Sequence, residues 1–178
     1  MIDIVVDPAP IPPIRLEVHK RLTDLLKTIT PANGYTTDLA GNVYRGRLVF
    51  GAETPLPSVA ILEVPIPLDQ LPSPSGTPVH KGPWELMIQG WVEDDRENPT
   101  DPAHYLMADV KQALAKEQRK VDYDGGPENG ILGLGRNVTA MYIGQGVVRP
   151  PEEVSAKAYF WLTLTLDLVE NMEQPRDY

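Results

Sequence analysis

At 178 residues and without a cysteine, the chain suits one domain with a real core and has neither disulfides nor thiolate metal sites. Its formal net charge of −9 argues against the basic footprint of a protein that grips DNA. The N-terminal MIDIVVDPAP carries acids and prolines where a secretory leader needs a basic stretch, and no apolar run approaches the roughly 20 residues of a membrane span; a soluble intracellular protein is expected.

The 19 prolines cluster, and the clusters mark where regular structure stops. Residues 1–13 form a Pro-rich lead-in ending at Pro12 and Pro13, and Pro13 suits a first helical turn. From there Ile14, Val18, Leu22, Leu25, Leu26 and Ile29 recur at helical spacing, with Arg15, Glu17, Lys20, Arg21, Asp24 and Lys27 on the other face. His19 falls on the polar side of this helix, which Thr30-Pro31 and Asn33-Gly34 stop. Residues 42–50, NVYRGRLVF, read as a strand with Arg45 and Arg47 beside each other on the side of Val43 and Val49. Residues 58–64, SVAILEV, read as a second, more buried strand, and the short Pro-bearing link predicts that the two pair as a hairpin.

Residues 65–83 hold six prolines together with Ser73, Ser75 and Gly76. That density is incompatible with a hydrogen-bonded ladder, so this segment is expected to be a loop or arm that protrudes from the domain. Strand pattern resumes over 84–93: Trp84, Leu86, Ile88 and Val92 face one way, and Glu85, Gln89, Trp91 and Glu93 the other. After an acidic turn, Asp101 is placed to cap a second helix with Pro102 at its first position, and Leu106, Val110, Ala113 and Leu114 form its apolar stripe. Residues 119–137 are glycine-rich and irregular, and residues 138–144 form a short strand.

The last element carries the strongest signal. From Ser155 to Val169 the chain alternates without a break: Ala156, Ala158, Phe160, Leu162, Leu164, Leu166 and Leu168 on one parity, and Lys157, Tyr159, Trp161, Thr163, Thr165, Asp167 and Val169 on the other. This is the period of a half-buried strand. One face must be covered by helices or a second sheet, and the other meets water or a partner. The order of elements predicts an α+β domain, a mostly antiparallel sheet with two amphipathic helices packed on it and a Pro-rich protruding loop.

Candidate chemistry is thin. Glu93, Asp94, Asp95, Glu97 and Asp101 could offer oxygen ligands to a divalent cation, but they lack the spacing and glycine of a calcium loop, and a solvated turn is the simpler reading. The histidines His19, His80 and His104 sit in no metal-binding frame. The stretch from Gly130 to Arg136 lacks the Gly-Lys-Ser/Thr of a phosphate loop, and no G-x-S-x-G elbow occurs. No catalytic residue, metal ligand or cofactor is therefore expected.

The sequence of elements, a basic amphipathic helix ending at TPANGY, then NVYRGRLVFG, PSVAILEVP, WELMIQGWVEDD, the link NPTDPAHYLMADVKQAL and the long strand AKAYFWLTLTLDLVE, resembles the tail terminator, or tail completion, proteins of long-tailed bacteriophages. The resemblance spans most of residues 14–170 and is carried most specifically by the strand ending in Trp91-Val92-Glu93 followed by an Ala/Leu helix. It implies a virion protein of the tail neck, assembled in the host cytoplasm. There it forms a homohexameric ring on the head-proximal end of the tail tube, stops tube growth and joins the head. Its implied partners are the tube protein and a head-completion or neck protein, with DNA only passing through the lumen. A head-closure protein is the nearest alternative, and a small metal-dependent hydrolase built on Glu93, Asp94, Asp95 and His104 is the alternative of another class. Subunit or partner contacts are expected at Arg45, Arg47, Trp91, Glu93, Asp94, Asp95, Tyr159 and Trp161.

Overall fold

The computed structural model describes residues 10–51, 53–65, 76–120, 130–152 and 156–178. Its elements are α1 (Ile14–Lys27), β1 (Val43–Arg45), β2 (Ser58–Glu63), β3 (Val79–Val92), α2 (Asp101–Gln118), β4 (Val138–Ile143), β5 (Val147–Arg149) and β6 (Ala158–Asn171). The six strands form one sheet in the order β1-β2-β3-β6-β4, with β5 also on β6. Every pairing is antiparallel except β1 with β2. The fold is α+β; residues 66–75 of the expected Pro-rich arm lie outside the described residues.

β6 is the strand on which the sheet is built. β3 pairs with it over its full length, from Val79 against Asn171 to Val92 against Ala158. On its other edge β4 pairs with the 164–168 stretch and β5 with 159–161. Phe160, Leu162, Leu164, Leu166 and Leu168 are buried on the face that both helices cover, together with Leu86 and Ile88 of β3 and Ile61 of β2. The helices contribute the stripes the sequence shows: Ile14, Val18, Leu22 and Leu26 from α1, and Leu106, Val110, Ala113 and Leu114 from α2.

Polar groups join the helices to the loops beneath them. The buried Asp109 carboxylate on α2 accepts the Thr36 and Thr37 backbone N–H groups and the Thr37 hydroxyl at 2.9, 2.7 and 2.8 Å. These bonds satisfy a charge that would otherwise be costly to bury. Leu132 stands at φ 58°, an uncommon conformation for a residue with a side chain. Its N–H donates to the buried Glu117 carboxylate at 2.7 Å and its carbonyl accepts from Arg21 at 3.0 Å, so α2 and α1 clamp the strained residue from both sides.

Several expectations are corrected. The strand over 42–50 ends at Arg45, because Gly46 at φ +65° turns the chain. β1 and β2 are parallel, not a hairpin, so the link between Arg45 and Ser58 must cross the sheet to bring the chain back to the same end. The arm was expected to run to residue 83, but β3 begins at Val79 and includes His80 and Pro83. Pro83 is tolerated because of its position. Glu85 turns its carbonyl toward β2, where it accepts the Val64 N–H. Pro83, two residues earlier on the same parity, points to that side beyond the last paired residue of β2, so it removes no bond to β6. Asp101 is the first helical residue of α2 and not its cap; Thr100 holds that position without a side-chain bond. β5 adds a short strand between β4 and the last one, and the final strand, expected over Ser155–Val169, begins at Ala158 and extends to Asn171.

Gly90 and Phe160 are cross-strand partners, and a Cβ placed on Gly90 would lie 2.2 Å from the Phe160 ring. Gly90→Ala is expected to destabilise the protein by about 1–3 kcal/mol through overpacking. Gly90→Ala combined with Phe160→Leu is expected to lose less than the sum of the two single losses. Urea unfolding of the three variants checks this, and strict additivity would contradict the close approach.

Candidate functional site

The helix-free face of the sheet holds the site. Because β1 and β2 run parallel, residues 46–57 pass across this outer face. They lay Phe50 against Trp91, with ring centroids 4.0 Å apart, and Leu56 packs on the same small cluster with Ala60 and Tyr159. The Arg47 guanidinium carbon lies 4.7 and 4.9 Å from the ring centroids of Tyr44 and Phe50, and the guanidinium also donates to Thr54 Oγ1 at 3.2 Å. Cation–π contacts of this kind hold the crossover on the sheet.

Between crossover and sheet lies a cleft of ≈ 610 Å³, within the range of ligand-binding clefts. Phe50, Trp91 and Tyr159 form its aromatic floor and wall, Gln89 and Thr54 supply polar groups, and Leu48 and Val49 stand at its rim. Those two rim residues are 70% and 79% exposed. Glu93 and Lys157, joined as an ion pair, line one end. Beside the cleft Trp161 is 38% exposed and stacks at 5.6 Å on Tyr159. Val147, the cross-strand partner of Trp161, is exposed as well, so the apolar surface continues past the cleft.

Tyr159 is fixed from below. Its hydroxyl donates to Glu152, whose other oxygen accepts from Arg149 at 3.0 Å. The Glu152 carboxylate, with burial second, raises the Tyr159 pKa above its usual value. The same two donors, Tyr159 first and Arg149 second, lower that of Glu152.

The expected contact residues therefore separate. Trp91, Glu93 and Tyr159 line one cleft, with Arg47 bound to its lining residues Phe50 and Thr54 and Trp161 next to it. Trp91 and Tyr159 do not lie open on the outer face as expected; they are 6% and 2% exposed, because the crossover covers them. Arg45 does not sit beside Arg47. It keeps the parity of Val43 and Ile61 toward the helix side, while Gly46 sends Arg47 to the opposite face. Asp94 and Asp95 are exposed in the turn after β3. The Asp95 carboxylate accepts the N–H groups of Glu97 and Asn98 at 2.8 and 2.7 Å, and these bonds, that of Asn98 first, lower its pKa. Among the described residues no three His, Asp or Glu side chains gather as a metal site, so His104 is not assembled with Glu93, Asp94 and Asp95. Phe50, Leu48 and Val49 were missed as site residues. The glycine between the two arginines was the available signal, since it breaks the strand on which they were placed.

No protein-family model matches this chain, and no curated protein matches it. Among the described residues no helix is long and apolar enough to cross a membrane.

On the helix side, His19 is not on a solvated face. It lies against Trp84 in an edge-to-face contact at 5.4 Å, its Nδ1 is buried without a hydrogen-bond partner, and its Nε2 is 3.7 Å from Glu63. Burial is the largest influence and lowers its pKa from 6.5; Glu63 opposes this and the Arg45 charge assists it. The native state thus binds fewer protons at His19 than the unfolded chain. Its contribution to stability is full above the unfolded value of 6.5 and is lost as pH falls through 6.5 toward the lower native value. The urea midpoint is expected to fall between pH 7.5 and 5.5, roughly the window of histidine titration. The fall is expected to be smaller in His19→Gln. Equal slopes in the two proteins would remove His19 as the cause.

Proposed function

We propose that the chain is a structural assembly subunit that caps the head-proximal end of a long-tailed bacteriophage tail tube as a six-fold ring. It stops tube polymerisation there and offers the surface to which the head-completion protein binds. The observation that carries this reading is the two-sided sheet. Its inner face is closed by both helices, while among the described residues the outer face is covered by the 46–57 crossover and, at Tyr159, by Glu152, and exposes Leu48, Val49, Val147, Tyr142 and Trp161. A surface of this kind marks a protein–protein contact. A cap needs one such face to match the tube end, and ring closure needs a second, heterologous contact between copies. Six copies of a chain with net charge −9 would set a strongly negative field about the channel, so DNA passes without being gripped.

The test is to polymerise the tube protein with and without this chain and to measure tube lengths by electron microscopy. Stoichiometric protein is expected to shorten the tubes and to appear at one end with six-fold symmetry. Tubes of unchanged length, or a bound monomer or dimer at their ends, would overturn the reading. Tight binding of duplex DNA at physiological salt would overturn the passive channel.

A further inference from the structure

We infer that the aromatic cleft under the 46–57 crossover is the receptor for the Pro-rich segment 65–78 of a second copy of this chain. The inference deepens the ring reading by naming the contact that would join neighbouring subunits. Its first support is chemical. The sequence of the segment is PIPLDQLPSPSGTP, with prolines at 65, 67, 72, 74 and 78. Pro-rich segments recognise grooves lined by aromatic side chains, because a chain restricted in φ loses little entropy on binding and its rings stack on flat apolar walls. Phe50, Trp91 and Tyr159 supply those walls, and Gln89 and Thr54 are placed to bond a passing backbone.

The second support is charge. Asp69 is the one acid of the segment. Arg47, next to the cleft on its lining residues Phe50 and Thr54, meets no carboxylate among the described residues. The cation therefore stands where an acid of the incoming segment can complement it.

The third support is reach, and it decides between one copy and two. The cleft lies at the Trp91 end of β3, where Ser58 begins β2. Pro65 follows Val64, whose N–H bonds Glu85, and the chain re-enters the sheet at Val79. From the level of Pro65 to Trp91 is about 23 Å along β3, and from Trp91 back to Val79 about 40 Å, at the usual strand rise. The 14 peptide steps from Pro65 to Val79 span at most about 50 Å. Fully extended, a chain could touch no more than the near edge of its own cleft at Gln89 and could not reach the aromatic walls at Trp91 and return, so the occupant of those walls comes from a neighbour. The contact is then head-to-tail, the type that closes into rings.

Two variants separate receptor from ligand. Leu48→Asp with Val49→Asp charges the exposed rim and leaves the core untouched. Replacing residues 66–75 by a Gly/Ser linker of equal length removes the ligand and keeps the cleft. A synthetic peptide of residues 64–78 is expected to shift the tryptophan emission of the linker variant. It is expected to bind the rim variant about tenfold more weakly, and its Pro→Ala counterpart is expected not to bind. In light scattering each variant alone should be monomeric, and their mixture should give a one-to-one heterodimer that grows no further. Failure of the peptide to bind the linker variant, equal binding to both variants, or equal binding of the Pro→Ala peptide would overturn the inference. Peptide binding with tube lengths unchanged would keep the interlock and sink the cap. Tube capping without peptide binding would do the reverse.

Discussion

The alternation of β6 is the constraint on which the rest of the molecule depends. A strand with leucines and phenylalanine at every second position cannot be solvated on that side, and it is paired on both edges, by β3 and by β4 with β5. It therefore occupies the interior of the sheet and turns one apolar face to a covering layer. Both helices supply that layer. Gly90 opposite Phe160 shows how tightly the two central strands are fitted, since the ring occupies the space a Cβ would need.

A one-sided sheet leaves a second face to account for. The parallel pairing of β1 with β2 answers part of this need: a parallel pair cannot be joined by a tight turn, and the crossover residues become a partial lid over Trp91 and Tyr159. Arg47, stacked on Tyr44 and Phe50, pins the lid. The lid does not seal the face. It leaves a cleft with an apolar rim, next to Trp161 and Val147.

Charged groups inside the fold serve as ties. Asp109 gathers the donors of residues 36 and 37, and Glu117 with Arg21 holds Leu132 in its left-handed conformation. His19 is the exception, because one of its nitrogens is buried without a partner. These polar positions lie on the helix side and between the helices and their loops, apart from the aromatic cleft on the opposite face.

The sequence by itself determined the α+β class, the two helices with their apolar stripes and the buried parity of β3 and β6, because period and burial are local properties of the side-chain order. Trp91, Glu93 and Tyr159 were likewise legible as an outer-face group, since parity alone assigns them there. Only the tertiary structure decided which of them are covered. Whether β1 and β2 pair parallel or antiparallel is settled by long-range register and not by residue type, and that choice sends residues 46–57 across the face. Arg45 and Arg47 share a parity in the sequence yet lie on opposite faces, because one glycine at positive φ breaks the period between them. Pro83 lies inside a strand because its neighbour on that side has already ended, a fact carried by β2 and absent from the residues around the proline.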